Sequence, residues 1–281
     1  MIQCADVYKS FDGKQVLSGV GFEIPDGQIF GFLGPSGAGK TTLIKILTGQ
    51  LPFDSGTVRI LGKDVKALTG ADRKQIGIMM DEFGVYERLS CADNLRIFAD
   101  IYGVPHRRIG EVLTMVGLGN EGRKGAMNLS KGMRARLCLA RVFLHAPRII
   151  FLDEPTSGLD PQTARQIRRI ILEKKNSGCT VFLTTHNMEE AAALCDRVAL
   201  LNEGAIVESG APQEICRRYN HQKRIRLHLR SGEDVDLPHD GASADKIACF
   251  LRAGAIETIH SSEPTLETVF LELTGRKLEG E

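Results

Sequence analysis

The chain has no surplus of charge: over 281 residues, 36 Lys and Arg nearly cancel 35 Asp and Glu, leaving +1. Such a balance offers no overall attraction to nucleic acid or to an anionic membrane, so no nucleic-acid partner is expected. It also lacks any C-x-x-C pair. The seven cysteines (Cys4, Cys91, Cys138, Cys179, Cys195, Cys216 and Cys249) are odd in number, and several lie inside apolar runs, where cysteine serves as a small buried hydrophobe. This argues against a disulfide framework or a zinc site and makes a reducing cytosol the simplest expected home. No run approaches the roughly eighteen uninterrupted apolar residues of a membrane span. Met1-Ile2-Gln3-Cys4-Ala5-Asp6 has neither a basic n-region nor a long apolar h-region. The composition therefore reads as a soluble chain. With 42% hydrophobic residues it can build a substantial core, and its length suits one large domain or one domain with a small appendage.

The most informative stretch is Gly34-Pro35-Ser36-Gly37-Ala38-Gly39-Lys40-Thr41-Thr42, which fits the phosphate-loop pattern G-x-x-x-x-G-K-[ST]. Before it, Gln28 to Leu33 is a short apolar run that reads as a buried strand; after it, Leu43, Ile44 and Leu47 recur at helical spacing up to Gly49. Strand, glycine loop and helix form the context in which the pattern has a mechanism. Glycines let successive N–H groups turn toward one anion, and the helix N-terminus adds partial positive charge. Lys40 then reaches the β- and γ-phosphates and the Thr41 hydroxyl ligates Mg²⁺. The competing reading is an ordinary glycine-rich turn; both flanks favour a nucleoside triphosphate site.

Elsewhere, residues 1 to about 30 read as short alternating strands with breaks at Asp12-Gly13 and Pro25-Asp26-Gly27, and Thr57 to Leu61 and Ile76 to Met80 are further strands. From about Ser90 to Leu144 the pattern turns helical, with Leu95, Phe98, Ile101 and Tyr102 on one stripe. Arg148 to Leu152 and Thr180 to Thr184 are continuous apolar strands separated by a helix from Pro161 to Lys175, as in a parallel sheet covered on both faces. After about Tyr219 the register changes. Arg224 to Arg230 alternates as a half-exposed strand, Ser231 to Asp234 turns, Val235 to Leu237 returns, and helices are expected near 244–251 and 263–273. The basic run from Arg217 to Arg230 reads as a solvated strand face rather than a phosphate contact.

Phe151-Leu152-Asp153-Glu154 closes a buried strand with two carboxylates, at the edge where parallel sheets place ligands. Asp153 suits Mg²⁺ held jointly with Thr41, and Glu154 suits a general base on the attacking water; the alternative is a pair fanned into solvent. His186 ends the next apolar strand. It reads either as a γ-phosphate hydrogen-bond donor or as the residue before an Asn187–Glu190 helix cap.

Leu129-Ser130-Lys131-Gly132-Met133 opens a helix upstream of Asp153, and Ser157-Gly158-Leu159-Asp160 and His186 follow downstream. With the phosphate loop, this ordered series resembles the nucleotide-binding subunit of an ATP-binding-cassette (ABC) transporter over about residues 1–220. The resemblance implies an α/β fold of the P-loop NTPase class. Its parts are a mostly parallel sheet core, an antiparallel β subdomain and a helical subdomain at about 84–147, with residues 221–281 as a small C-terminal α+β appendage. It implies ATP and Mg²⁺, and hydrolysis by Glu154 with His186. Phe11 then stacks on adenine with Val16 nearby, although Phe11 as a core residue is an equal alternative. Ser130 and Gly132 contact ATP held by a second copy of the chain, and Asp160 lies along that seam, where it also suits a helix cap before Pro161. An integral membrane permease is the implied partner, contacted near Phe83 to Tyr86, at the cytoplasmic face of a bacterial membrane. A non-transport cassette acting on ribosomes or nucleic acid is the rival, as is a clamp that binds without turnover.

Two places depart from the family pattern: Lys131 and Met133 replace a glycine and a glutamine, and Asp81 stands where a metal-sensing glutamine is usual. Asp81 is expected to join Thr41 and Asp153 at Mg²⁺, since a carboxylate is a harder ligand than an amide. These substitutions, with the closing segment Ser262 to Arg276, resemble export-type cassettes for drugs, antimicrobial peptides or polysaccharides.

Overall fold

A computed structural model describes residues 1–80, 84–221 and 223–275. The chain divides into two units, Met1–Ala211 and a second that begins at Pro212. In the first unit, β1 (Ile2–Phe11) and β2 (Lys14–Ile24) form a hairpin about Asp12-Gly13. Ile2, Cys4, Val7, Leu17, Val20 and Ile24 are buried; the three-residue steps from Cys4 to Val7 and from Leu17 to Val20 go with the register irregularities of this hairpin. Next come β3 (Ile29–Leu33), α1 (Lys40–Leu47), β4 (Ser55–Ile60), β5 (Lys63–Asp64), α2 (Gly70–Arg73) and β6 (Ile76–Met80). An antiparallel sheet is ordered β2-β1-β4-β5.

The helical stretch holds α3 (Cys91–Tyr102), α4 (Arg107–Met115) and α5 (Lys131–Phe143). In α3 the buried residues are Cys91, Asn94, Leu95 and Ala99, so the buried stripe is rotated from the expected one. Ile101 is exposed to solvent, because the helix packs through its Cys91–Leu95 side. Beyond lie β7 (Ile149–Asp153), α6 (Pro161–Asn176), β8 (Thr180–Thr185), α7 (Met188–Leu194), β9 (Arg197–Asn202) and β10 (Ala205–Gly210). A six-stranded sheet is ordered β10-β9-β3-β8-β7-β6, parallel except at the β9–β10 hairpin. All residues of β3, β7 and β8 are buried, which is why these strands are apolar without alternation. Phe30, Phe32 and Phe182 on this sheet meet Phe22 of β2, with Phe22 and Phe30 centroids 5.1 Å apart, and Phe151 packs on Phe182 at 5.7 Å. Register then sets the site: Leu33 lies beside Thr185, and Asp153 beside both Thr184 and Met80. The phosphate loop, the two carboxylates and His186 therefore leave the sheet at one edge.

The second unit contains α8 (Pro212–Arg218), β11 (Arg224–Leu229), β12 (Asp234–Pro238), α9 (Gly241–Arg252), β13 (Ile256–Ser262) and α10 (Leu266–Thr274). Its antiparallel sheet is ordered β12-β11-β13. Leu227, Leu229 and Leu237 form its small core with Ile225, Val235, Ile247 and Phe250. Strand β13 has no counterpart in the sequence reading, because Ile256 and Ile259 are three residues apart and show no period of two; pairing with β11 forms it. Among the described residues no helix is long and apolar enough to cross a membrane.

Candidate functional site

Two glycines of the phosphate loop are demanded by close approach. A side chain at Gly34 would meet the Leu201 carbonyl of β9 at 2.5 Å, and one at Gly39 would meet the Val16 carbonyl of β2 at 2.9 Å. Gly39 also has φ +106°, outside the range other residues adopt comfortably. It caps α1 without a side-chain hydrogen bond, so the first N–H groups of that helix are not spent on a cap and suit an anion. Lys40 is 7% exposed. Its ammonium donates to the carbonyls of Gly34 (2.7 Å) and Pro35 (3.2 Å) and lies 3.2 Å from Glu154 Oε1. The lysine thus spans the loop from its root to the carboxylates of β7.

Asp153 is buried at the end of β7. Thr41 Oγ1 donates to its Oδ2 at 2.7 Å, and Thr184 Oγ1 donates to its Oδ1 at 2.5 Å. Both carboxylate oxygens are satisfied, which makes burial of the group tolerable. Glu154 follows with φ 48°, the left-handed region that an ordinary residue enters only when its surroundings hold it there. Its N–H is 3.2 Å from both the carbonyl and the hydroxyl of Thr184. The turn sends the side chain across the sheet edge, where Oε1 meets Lys40 and Oε2 lies 2.9 Å from His186 Nδ1. Glu154 is held from both sides, and neither oxygen is fanned freely into solvent.

Thr41, Lys45, Met80, Lys131, Asp153 and Glu154 line a cleft of about 570 Å³. Its donor chemistry fits Mg²⁺ arriving with a triphosphate. Thr41 and Asp153 present adjacent hard oxygens, and this ion takes one or two protein oxygens with phosphates and water completing its octahedron. Among the described residues no cluster of three His, Cys, Asp or Glu forms a self-sufficient metal cage. A metal held partly by its substrate needs none.

Residues 17–157 match the family model described as ABC transporter. The chain is 40% identical to a fluoroquinolones export ATP-binding protein of Mycobacterium tuberculosis, over 94% of this chain and 89% of that one. It is 33% identical to a methionine import ATP-binding protein of Clostridium acetobutylicum, over 86% and 78% of the two chains. A solved structure described as the ATP binding subunit of an ABC transporter superposes with a TM-score of 0.71 at 27% identity, covering 78% of this chain and 93% of that one. The chain belongs to the ABC transporter family. It carries the ABC ATPase fold, and as a member of that family it binds and hydrolyses ATP.

The remaining residues singled out in this ABC ATPase fall in separate places. Phe11 ends β1 and is 43% exposed, so it is not a core residue. Val16 packs its carbonyl and Cγ1 against Gly39 of the phosphate loop. Ser130 caps α5, accepting from the Met133 N–H at 3.2 Å. A side chain on Gly132 would meet Thr163 Cγ2 at 2.7 Å, so packing against α6 is one reason for glycine there. Lys131 extends toward the turn at Gly158, where its Nζ would lie 2.5 Å from an added Cβ. Asp160 accepts from the Thr163 N–H at 3.0 Å, and Asn187 accepts from the Glu190 N–H at 2.8 Å, so both helix-cap readings hold. Asp81 and Phe83 lie outside the described residues.

Two contributors were missed in the sequence. Thr184 orients Asp153, and the only signal was a pair of hydroxyl residues ending an apolar strand. Glu190 is 3% exposed and accepts from Thr156 Oγ1 at 2.5 Å. It thereby ties α7 to the loop that follows Glu154, while its Oε1 has no hydrogen-bond partner. Burial pushes its carboxyl above the usual carboxylate range, against the pull of the Thr156 hydrogen bond and Arg168. The sequence singled it out only as the partner of Asn187 in a helix cap.

Proposed function

We propose that this ABC ATPase forms a homodimer around two ATP molecules and drives a separate integral membrane permease, working as an exporter. The observation that carries the reading is the contact chain through Lys40, Glu154 and His186 beside the Thr41–Asp153 pair. A site that only bound nucleotide would need the loop and Lys40. A carboxylate held between a cation and an imidazole is what hydrolysis needs.

Each residue then has a task. The amides of Gly34 to Thr42 and the Lys40 ammonium bind the phosphates. Thr41 and Asp153 hold Mg²⁺, which supplies charge neutralisation at the transferring phosphoryl group. Glu154 takes the proton of the attacking water as general base, and His186, whose Nδ1 lies 2.9 Å from Glu154 Oε2, presents the rest of its ring to the γ-phosphate. Phe11 and Val16 receive adenine. Ser130 and Gly132, at the start of α5, meet the ATP of the second copy, where the helix N-terminus favours an anion. Asp81 reads the metal. In domain terms, residues 1–220 form the ATP-binding domain with a helical subdomain at about 84–147, and 221–281 a small C-terminal α+β domain.

The relative of higher identity and wider coverage is named for export, which favours that direction over import. A permease partner places the chain at the cytoplasmic face of a bacterial membrane. The neutral net charge supports a protein partner over nucleic acid.

The test is Glu154→Gln. It is expected to keep ATP affinity, lose turnover by about 10²–10⁴-fold as for removal of a general base, and accumulate an ATP-bound dimer by light scattering. Normal hydrolysis would remove Glu154 from the catalytic role. Co-purification with ribosomes rather than a polytopic membrane protein would overturn the transport reading. Asp81→Asn is expected to shift the Mg²⁺ dependence of ATPase; an unchanged dependence ends that assignment.

A further inference from the structure

Lys9 and Phe11 are two residues apart on β1 and so share a face of the sheet. The Lys9 ammonium sits over the Phe11 ring, 5.0 Å from its centroid, within cation–π range. Lysines usually carry their charge out to water, yet this side chain is only 11% exposed. Asp54, in the loop before β4, is what holds it. Asp54 Oδ1 lies 3.1 Å from Lys9 Nζ, its Oδ2 accepts from the Ser10 N–H at 2.6 Å, and its own N–H donates to the Tyr8 carbonyl at 2.9 Å. One aspartate thus straps Tyr8 to Ser10 and fixes the cation beneath the ring. The Lys9 and Ser10 hydrogen bonds hold the Asp54 carboxyl below the usual carboxylate range, which keeps the pair ionised.

Phe11 remains 43% exposed on this support, opposite Lys14 in the hairpin whose Val16 packs on Gly39 of the phosphate loop. A cation over one face of a phenyl ring leaves the other face for a planar base. It also draws on the π electrons, easing repulsion against the π face of a purine. We infer that Lys9 and Asp54 are positioning residues that fix and polarise Phe11 for adenine, adding base affinity to a site otherwise built for phosphates. This inference rests on the proposed stacking of Phe11.

The experiment compares ATP with inorganic tripolyphosphate, which has the phosphates and no base, by competition against a fluorescent ATP analogue on the full chain. Phe11→Ala is expected to weaken ATP about tenfold, as loss of one base–aromatic stack does. Lys9→Met should weaken it about threefold, since the base feels the cation only through the ring it polarises, while Lys9→Arg stays near wild type. The double variant should be no weaker than Phe11→Ala alone, and tripolyphosphate affinity should be unchanged in all. The ATPase KM should follow ATP affinity with kcat retained. If Lys9→Met leaves ATP affinity intact while Phe11→Ala lowers it, stacking stands and the positioning role fails. If Lys9→Met weakens tripolyphosphate equally, the lysine serves the fold or the phosphates and the inference fails. If Phe11→Ala changes nothing, the stacking reading itself is wrong.

Discussion

The end of β7 and the outer face of β11 carry the same kinds of group, carboxylates beside cations and imidazoles, in opposite surroundings. At β7, Asp153 is buried between two threonine hydroxyls, and Glu154 is clasped by a sequestered lysine and His186. On β11, Arg226 makes two hydrogen bonds to Asp236, at 2.9 and 3.1 Å, and His228 Nδ1 lies 2.6 Å from Asp234, all in solvent. The bond lengths are similar, so distance does not separate the two places. Solvation does. An exposed pair exchanges one set of good partners for another and contributes little net stability. A buried carboxylate has no water to fall back on, so every partner it loses stays lost.

That contrast can be broken most directly at Asp153. Asp153→Ala strands the Thr41 and Thr184 hydroxyls. It is expected to abolish Mg²⁺-dependent turnover and to lower stability by about 1–3 kcal/mol, the cost of orphaning the buried Thr184 hydroxyl, read by denaturant melts. A variant as stable as wild type would show that burial there is not what makes the pair matter. Glu190→Gln is a smaller and pH-dependent test. The folded protein raises this carboxyl, so its contribution favours the fold at low pH and is lost as pH rises through the raised value. The melting temperature of Glu190→Gln relative to wild type should therefore climb as pH increases from the acid side of the carboxylate range. A difference that stays flat with pH would mean the burial cost is not felt.

The smallest effect is expected on β11. His228 is raised above its ordinary value by the Asp234 hydrogen bond. Its pair is at full strength below the usual imidazole range and fades as pH rises through the raised value. His228→Gln should leave ATPase activity unchanged and cost at most a slight loss of melting temperature, confined to acidic pH. A large loss at alkaline pH would erase the distinction between the two sites.

The proposed catalytic edge was legible in the sequence where local chemistry is self-announcing. A glycine loop between an apolar strand and a helix, an acidic pair ending a strand and a histidine ending the next can each be read within a few residues. Phe11 could not be resolved between core and ligand from β1 alone, because its exposure depends on Lys9 and Asp54 lying beneath it. Gly132 read as a phosphate contact, while its packing against Thr163 brings together residues from different helices. Strand β13 carried no periodic signal and exists through its partner β11. Ile101 matched a helical stripe yet faces solvent, since the period of a helix sets spacing and not the side that packs.

Order and chemistry along the chain thus placed a phosphate-loop pattern at Lys40 and an acidic pair closing a strand at Glu154. Folding alone settled which oxygen meets which hydrogen. Parallel register brings Thr184 to Asp153, the left-handed turn at Glu154 aims it between Lys40 and His186, and Asp54 reaches back to hold Lys9. These partners are far apart in sequence, and a hydrogen bond is selective over tenths of an ångström. No pattern of neighbours along the chain carries that precision.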